Sequence, residues 1–416
     1  MYNRIYSFLN KHNILSTCQF GFRPGRSTEL ALVDALDNLN KAAAKKETSI
    51  GVFLDLSKAF DTIDHGILLT KLSYYGFRGV SFSWIKSYLS NRKQFTSLNG
   101  VTSDLMEVKC GVPQGSILGP LFFLIYVNDI SSVSKKASLV LFADDTNIFF
   151  SGSDPQRLEE LVSHELKLYF DWFTVNKLSL NVAKTNFIVF NKDALNMGHE
   201  FKISIDGNCL QRVENVKFLG IHIDSKLSWN EHVYNISSQI AKVVGILGRL
   251  KYIVPRNSLR SIYLALIYPH LSYCSIAWSS TSRSLFNKLN VLQKRAIRHI
   301  TCSKPRDHTS SMFKSLNLLK LTDIFKTNIA TFTYRSLHNL LPSQFSNYFS
   351  YNSSVHNHNT RQSASLHQDS IQSSLQHNSL RNRAIRLWNC LPSPVIAKQS
   401  TKSFRKSISR TFIQDY

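Results

Sequence analysis

Two adjacent carboxylates, Asp144 and Asp145, stand between the apolar arms Ser138–Phe142 and Thr146–Phe150. Both arms are rich in β-branched and aromatic residues and short enough to be strands, so the pair falls at the turn of a hairpin. Two charges beside that much apolar surface cost free energy unless something neutralises them. A divalent cation is the natural neutraliser, because Mg²⁺ or Mn²⁺ is held by carboxylate oxygens. Taken alone, the pair is explained equally well as an ordinary turn, where Asp is a favoured residue. The sequence before it shifts that balance. Asp55 ends the apolar strand Ile50–Leu54, a position from which a metal ligand is often presented. Two carboxylates from separate strands can hold two divalent ions about 3.5–4 Å apart. Asp61 and Asp64, one turn further on, are expected to cap the next helix or pair with Lys58 rather than bind metal.

The elements around these acids can be read in outline. A helix from Tyr2 to about Lys11 precedes the turn Gln19–Thr28, whose Arg23 and Arg26 either grip phosphate or sit in solvent. Ser27 or Thr28 is a fair N-cap for a helix reaching about Lys46, with Glu29 near its positive end. Residues 67–98 look mostly helical and amphipathic, and Asn99-Gly100 is a good hairpin turn between Gln94 and Val108. The loop Gly111–Pro120, with three glycines and two prolines in its motif Gly-Val-Pro-Gln-Gly and just after it, precedes the apolar helix Leu121–Asp129. Its backbone can approach a ligand closely, and Gln114 could contact a base or sugar.

The chain has 416 residues, 43% of them hydrophobic, enough for two or three domains with a large core. Its six cysteines are scattered without a C-x-x-C, so neither a zinc knuckle nor a disulfide framework is signalled, and a reducing intracellular compartment fits. No secretory leader is expected, and the runs Ile117–Val127 and Ile262–Trp278 are too short or interrupted to span a bilayer, so no membrane partner is expected. The net charge of +23 is unevenly placed. Residues 1–224 carry 24 Lys+Arg against 22 Asp+Glu, whereas residues 225–416 carry 26 against 5. A long basic surface gains affinity by releasing counterions from phosphates, which favours a nucleic-acid partner over a merely soluble basic face.

A strand ending in Asp55, a Gly-Val-Pro-Gln-Gly loop before a helix, and a Phe142-Ala143-Asp144-Asp145 hairpin, in that order, resemble the palm of reverse transcriptases. With Gln19–Thr28 and Gly111–Pro120 they look most like the non-LTR (LINE-type) retrotransposons of the jockey and CR1 kind, over roughly residues 15–224 and more loosely beyond. The resemblance implies an α+β fold: a right-hand polymerase with palm and fingers, an antiparallel palm sheet, a helical thumb and a basic C-terminal region. It implies an RNA-directed DNA polymerase that extends a DNA 3′-hydroxyl on an RNA template with dNTPs, using two Mg²⁺ (or Mn²⁺) ions. Asp55 and Asp144 then match the two principal metal ligands, Asp145 the third acid, and the Leu56 carbonyl completes a shell. Phe60 matches the bulky side chain that clashes with a 2′-hydroxyl, and Gln114 and Gly115 match the loop beside the nascent base pair. Arg23 joins them as a nucleotide-binding candidate, Lys184 matches a lysine that protonates pyrophosphate, and Phe218, Leu219 and Gly220 resemble the primer grip.

Beyond Asp224 the thumb-like series is expected over residues 225–301 and a helical extension over 302–342. Apolar residues recur at helical spacing in Trp229, Val233, Ile236, Ile240, Val243 and Leu247, and again in Leu259, Ile262, Tyr263, Leu266 and Ile267. A helix over about Ser284–Thr301 pairs the stripe Leu285, Leu289, Leu292, Ala296, Ile300 with Lys288, Lys294, Arg295 and Arg298, a basic face suited to the phosphates of a template–primer duplex. Residues 343–380, polar and low in apolar content, read as a flexible linker that includes His356 and His358, and 381–416 as a basic segment of amphipathic helices. The family's preceding fingers segment is missing from the chain, which is therefore expected to be an N-terminally truncated piece. The competing reading is a catalytically inactive nucleic-acid-binding remnant. Residence in the nucleus follows only from the family's habit, and nothing in the sequence points to a protein partner.

Overall fold

The computed structural model describes residues 1–190, 199–355, 362–370 and 374–416; His356 and His358 lie outside the described residues. The chain forms two compact units, one of Met1–Ser27 with Lys46–Val213 and the other of Thr28–Lys45 with Glu214–Tyr416.

The first unit is built on a five-stranded sheet. Its order is Gln211–Arg212, Asn186–Phe190, Thr48–Leu54, Asp145–Gly152, Ser138–Phe142. The expected antiparallel sheet is present with one exception: the edge pair Gln211–Arg212 and Asn186–Phe190 runs parallel. Thr48–Leu54 is the middle strand and is buried at all seven positions, which is why its Ile50–Leu54 part reads as an unbroken apolar run rather than an alternation. Ile50, Val52 and Leu54 share one core with Ile148, Phe150, Phe187, Val189 and the helix Gly119–Val127. That helix is apolar all round and, apart from Pro120, buried along its length, as a core helix should be. Strand alternation therefore turns Asp55 and Asp145 to the opposite face, away from that core. The expected first helix spans Tyr2–Lys11, and the helices Pro155–Val175 and His65–Tyr74 are each capped by an aspartate, Asp154 and Asp64.

The second unit is mainly helical. Helix Asn230–Leu250 packs against Arg283–Ile300, and Leu321–Leu337 against both Leu380–Asn389 and Thr401–Gln414. The expected stripes are close but slip in places. Val244 rather than Val243 is buried, continuing the Ile236–Ile240 spacing, and Leu266 is exposed at the end of its helix. In Arg283–Ile300 the buried row is Leu289, Gln293, Ala296, Ile297 and Ile300. Gln293 escaped the hydrophobic pattern because it is a polar hub. Its Nε2 donates to the Tyr263 hydroxyl (2.9 Å) and Leu319 O (3.0 Å), and its Oε1 accepts from Leu321 N (2.8 Å). Among the described residues no helix is long and apolar enough to cross a membrane.

The C-terminal helices also use their charges internally. Arg383 is partly buried and donates to Ser279 Oγ and Ile276 O. The Tyr348 hydroxyl donates to Asp37 Oδ1 at 3.0 Å. Burial pushes the Asp37 carboxyl up to about 7, opposed by the Tyr348 hydrogen bond, Lys41 and Arg381 and aided by Asp34. The penalty of ionising Asp37 in the fold is absent below the ordinary aspartate range and grows as pH rises through the raised value. Asp37→Asn keeps an acceptor for Tyr348 and should raise the melting temperature by several degrees at pH 8, with little change at pH 5. An equal gain at both pH values would refute a buried titrating carboxylate.

Candidate active site

Asp55 follows the last residue of the central strand and is half-buried. Its backbone is held from the other side by the turn that carries Lys184: Asn181 N donates to Asp55 O at 2.8 Å, and Asp55 N donates to Thr185 Oγ1 at 3.4 Å. Ser57 N to Ser179 O (2.9 Å) and a bridge between Leu56 and Leu180 continue this seam. Lys184 itself is exposed on that turn. The fold thus brings the expected lysine-bearing turn onto the backbone of the expected metal ligand, through main-chain bonds rather than a side-chain contact.

Asp144 and Asp145 stand where the sequence puts them, at a two-residue hairpin turn formed by Ala143 and Asp144 between paired Phe142 and Asp145. Ala143 has φ 57°, a left-handed conformation uncommon for a residue with a side chain. Gln19 holds it there. This buried amide accepts through Oε1 from Ala143 N (3.2 Å) and Gly21 N (2.7 Å), and its Nε2 donates to Ala143 O (3.4 Å). Phe20 N to Leu141 O (2.7 Å) and Leu141 N to Cys18 O (2.9 Å) bind the same segment along the hairpin edge. Gly21 lies so close that a Cβ there would fall 2.2 Å from Ala143 N. The sequence marks Gln19–Gly21 as part of a motif but assigns neither residue a task. The available signal was a lone amide beside an aromatic and a glycine.

The register pairs Leu54 with Thr146, so the chain continues with Asp55 facing Asp145. The carboxyl of Asp145 is raised from its ordinary value, first by burial, then by the negative charges of Asp144 and Asp55. The residue as a whole is exposed. Three like charges converge here, and a cation would relieve their repulsion. Among the described residues no set of three His, Cys, Asp or Glu side chains forms a preformed cage for an ion. Mg²⁺ is ordinarily held by one or two carboxylates with substrate phosphates completing its shell. The sequence expectation adds the Leu56 carbonyl to the carboxylates of Asp55, Asp144 and Asp145, an all-oxygen donor set.

A second wall adjoins the acids in sequence. The Phe60 ring stacks on Phe123 (4.5 Å between centroids) and meets Phe22 edge-on (6.0 Å), so its orientation is fixed by packing. The loop Gly111–Gly115 is laced to this segment by Gly111 N to Ile63 O (2.7 Å), Val112 N to Phe60 O (3.0 Å) and Gln114 Nε2 to Asp61 Oδ1 (2.8 Å). Gly111 is required there, because its φ is 84° and a Cβ would fall 2.7 Å from Asp61 O. Gly115, at φ 78°, has open space around it. Of the two acids after Asp55, Asp61 is thus the partner of Gln114. Asp64 caps its helix by accepting from Ile67 N (2.9 Å) and pairs with Lys177 (2.7 Å), which holds its carboxyl below the usual range. Lys58, the partner the sequence offered, is not the one used. Arg23 and Arg26 each donate to their own loop, to Ser16 O and Thr17 O.

The remaining candidates lie in the second unit. Phe218 is buried, while Leu219 and Gly220 form the turn of the hairpin Asn215–Asp224, both at positive φ. The Tyr273 hydroxyl donates to Leu219 O at 2.8 Å, and Gly220 leaves just enough room for that ring. On helix Arg283–Ile300, Lys288 and Arg295 are exposed, with the Lys288 ammonium over the Tyr234 ring at 4.8 Å. Lys294 is partly covered, and Arg298 spends its Nε on Asp307 O (3.0 Å).

The chain is similar to several known proteins. The chain is 27% identical over 333 residues to the RNA-directed DNA polymerase from mobile element jockey of Drosophila melanogaster, covering 77% of this chain and 36% of that protein. It is 27% identical over 329 residues to the probable RNA-directed DNA polymerase from transposon BS of the same organism, covering 76% and 36%. The chain thus spans about a third of the length of these curated relatives. Among solved structures it is similar to apo telomerase from Candida tropicalis at 14% identity and a TM-score of 0.44, covering 79% of this chain and 54% of that one. Residues 1–223, which hold the three aspartates, Phe60 and the Gln114 loop, match the family described as reverse transcriptase (RNA-dependent DNA polymerase), and the chain belongs to that family.

Proposed function

We propose that the chain performs the polymerase step of a non-LTR retrotransposon, adding dNTPs to a DNA 3′-hydroxyl opposite an RNA template. The observation that carries this reading is the register that brings the strand end at Asp55 beside the hairpin turn of Asp144 and Asp145, where the charges of Asp55 and Asp144 add to burial in raising the Asp145 carboxyl. Divalent ions, Mg²⁺ or Mn²⁺, held by these carboxylates and the Leu56 carbonyl would activate the 3′-hydroxyl and stabilise the departing pyrophosphate. The protein's share is positional. The central strand and the Gln19-clamped hairpin present the acids without reorganisation, which is where phosphoryl-transfer catalysis draws most of its power. Lys184, exposed on the turn bound to Asp55, is the group proposed to donate a proton to pyrophosphate. Gln114 and Gly115 line the base pair being formed, and Arg23 borders the nucleotide. Phe218–Gly220 hold the primer end, and Lys288, Lys294, Arg295 and Arg298 follow phosphates.

The deciding experiment is primer extension on poly(rA)/oligo(dT) with Mg²⁺, set beside binding of the same duplex. Incorporation supports the polymerase; duplex binding by a folded protein without incorporation would sink it. Phe60 supplies a second test. Its ring is locked between Phe123 and Phe22, so it cannot swing away from a 2′-hydroxyl. Phe60→Ala should lower the preference for dNTP over NTP by about a hundredfold or more, since a lost steric wall of a few kcal/mol is several factors of ten. An unchanged preference would remove Phe60 from the nucleotide site. Action in the nucleus is part of the same proposal.

A further inference from the structure

Between the helix Gly79–Leu89 and the Gln114 loop, the chain throws out a two-stranded ribbon that the proposed reaction does not use. Lys93 and Gln94 pair with Glu107 and Met106, and Ser97 and Leu98 with Thr102 and Val101 around Asn99-Gly100. Every residue from Lys93 to Glu107 is exposed, so neither face of the ribbon packs on the protein. Yet it displays Phe95, Leu98, Val101, Leu105 and Met106, each more than half exposed. Apolar side chains gathered on a projecting element mark a surface that meets something.

The base of the ribbon says what. It opens on a groove of about 590 Å³. Arg92, Lys93 and Lys109 supply positive charge there, opposed by Glu107 and Asp61, and the far wall is the Gly111–Gln114 stretch. The Arg92 guanidinium lies over the Tyr88 ring at 5.2 Å, which fixes its base. A basic groove that leads to exposed aromatic and aliphatic side chains is the combination that holds a single strand: cations follow the phosphates and rings take the unpaired bases. Because the groove shares Gln114 with the loop assigned to the nascent base pair, its occupant is continuous with that pair. We infer that the ribbon binds the unpaired RNA template immediately ahead of the base being copied. This rests on the polymerase reading above, and the test separates the two.

Fluorescence anisotropy on the full chain would compare a labelled primer–template ending flush with one carrying ten unpaired template ribonucleotides. The parent should bind the overhang duplex more tightly. Lys93→Glu with Lys109→Glu should erase that advantage, by about tenfold or more, and flatten its salt dependence. Phe95→Ser should erode it at unchanged salt dependence, because a stacking contact carries no charge. The flush duplex should bind all variants alike. All three positions are exposed, so the fold should be kept, and a thermal melt checks that. An overhang affinity untouched by these changes overturns the inference even where dNTP incorporation proceeds normally. The inference also fails if Phe95→Ser instead dissolves a dimer seen by sedimentation while leaving RNA affinity intact. If the parent incorporates nothing but the variants lose the overhang advantage, the ribbon assignment stands and the polymerase reading fails.

Discussion

Asp144→Asn and Asp55→Asn should each reduce dNTP incorporation by at least about a thousandfold while leaving the protein folded. The size follows from the chemistry proposed for the pair, since removing one ligand of a catalytic ion forfeits several kcal/mol of transition-state stabilisation. The preserved fold follows from the electrostatics. These carboxylates repel, and the rise in the Asp145 carboxyl records it, after burial, through Asp144 and Asp55. A raised acid lowers stability progressively as pH climbs through its folded value. Asparagine at 144 removes one of the repelling charges, so at neutral pH and without metal the variant should melt at or slightly above the parent. The parent should gain stability on adding Mg²⁺ or Mn²⁺, and Asp144→Asn should gain less, since only a state that binds the ion is stabilised by it. A variant that keeps near-parental incorporation would move the metal site elsewhere. One that loses incorporation because it melts early would say nothing about metal.

The features that were legible in the sequence are those set by local patterning. Ser138–Gly152 declared its hairpin through short apolar arms rich in β-branched and aromatic residues, and Asn99-Gly100 its turn through a dipeptide suited to positive φ. Asp55 was recognisable because a fully buried strand reads as an unbroken apolar run whose end is marked by the first charge. What escaped depends on contacts between residues far apart in the chain. The parallel edge pair of Gln211–Arg212 with Asn186–Phe190 involves two residues, too few to leave a periodic trace. Gln293 sits on an apolar helical face because three polar groups from other elements converge on it, and periodicity cannot register that. The same holds for Asp64, whose partner Lys177 is 113 residues away and displaced the nearer Lys58. Helix Thr28–Ala44 was legible as a helix, yet its company was not. It clusters with residues 214–416, where its Asp37 meets Tyr348 across 311 residues.

Gly21→Ala should disable the proposed site without touching an acid. The added Cβ would lie 2.2 Å from Ala143 N and 2.9 Å from its Cα, both backbone atoms that cannot rotate aside. Either the Gln19–Gly21 segment or the Ala143–Asp144 turn must therefore move. The turn already holds Ala143 in the left-handed region and depends on Gln19 to stay there. Displacing catalytic groups by about 1 Å costs on the order of a hundredfold in rate, so the incorporation rate should fall by about that much. Gln19→Ala approaches the same point by a different route. It strands the amides of Ala143 and Gly21, both of which donate to Gln19 Oε1, at about 1–3 kcal/mol for a buried group left unpaired. The two variants should share a signature: kcat lowered far more than the affinity for duplex, and a weaker stabilisation by Mn²⁺ than in the parent. Gln19→Glu separates positioning from mere packing. It keeps the accepting oxygen but brings a fourth negative charge against the hairpin, so it should restore the melting temperature lost in Gln19→Ala more fully than the rate. Parental kcat in Gly21→Ala would mean that the hairpin tolerates the shift and that its hold by Gln19 serves stability alone.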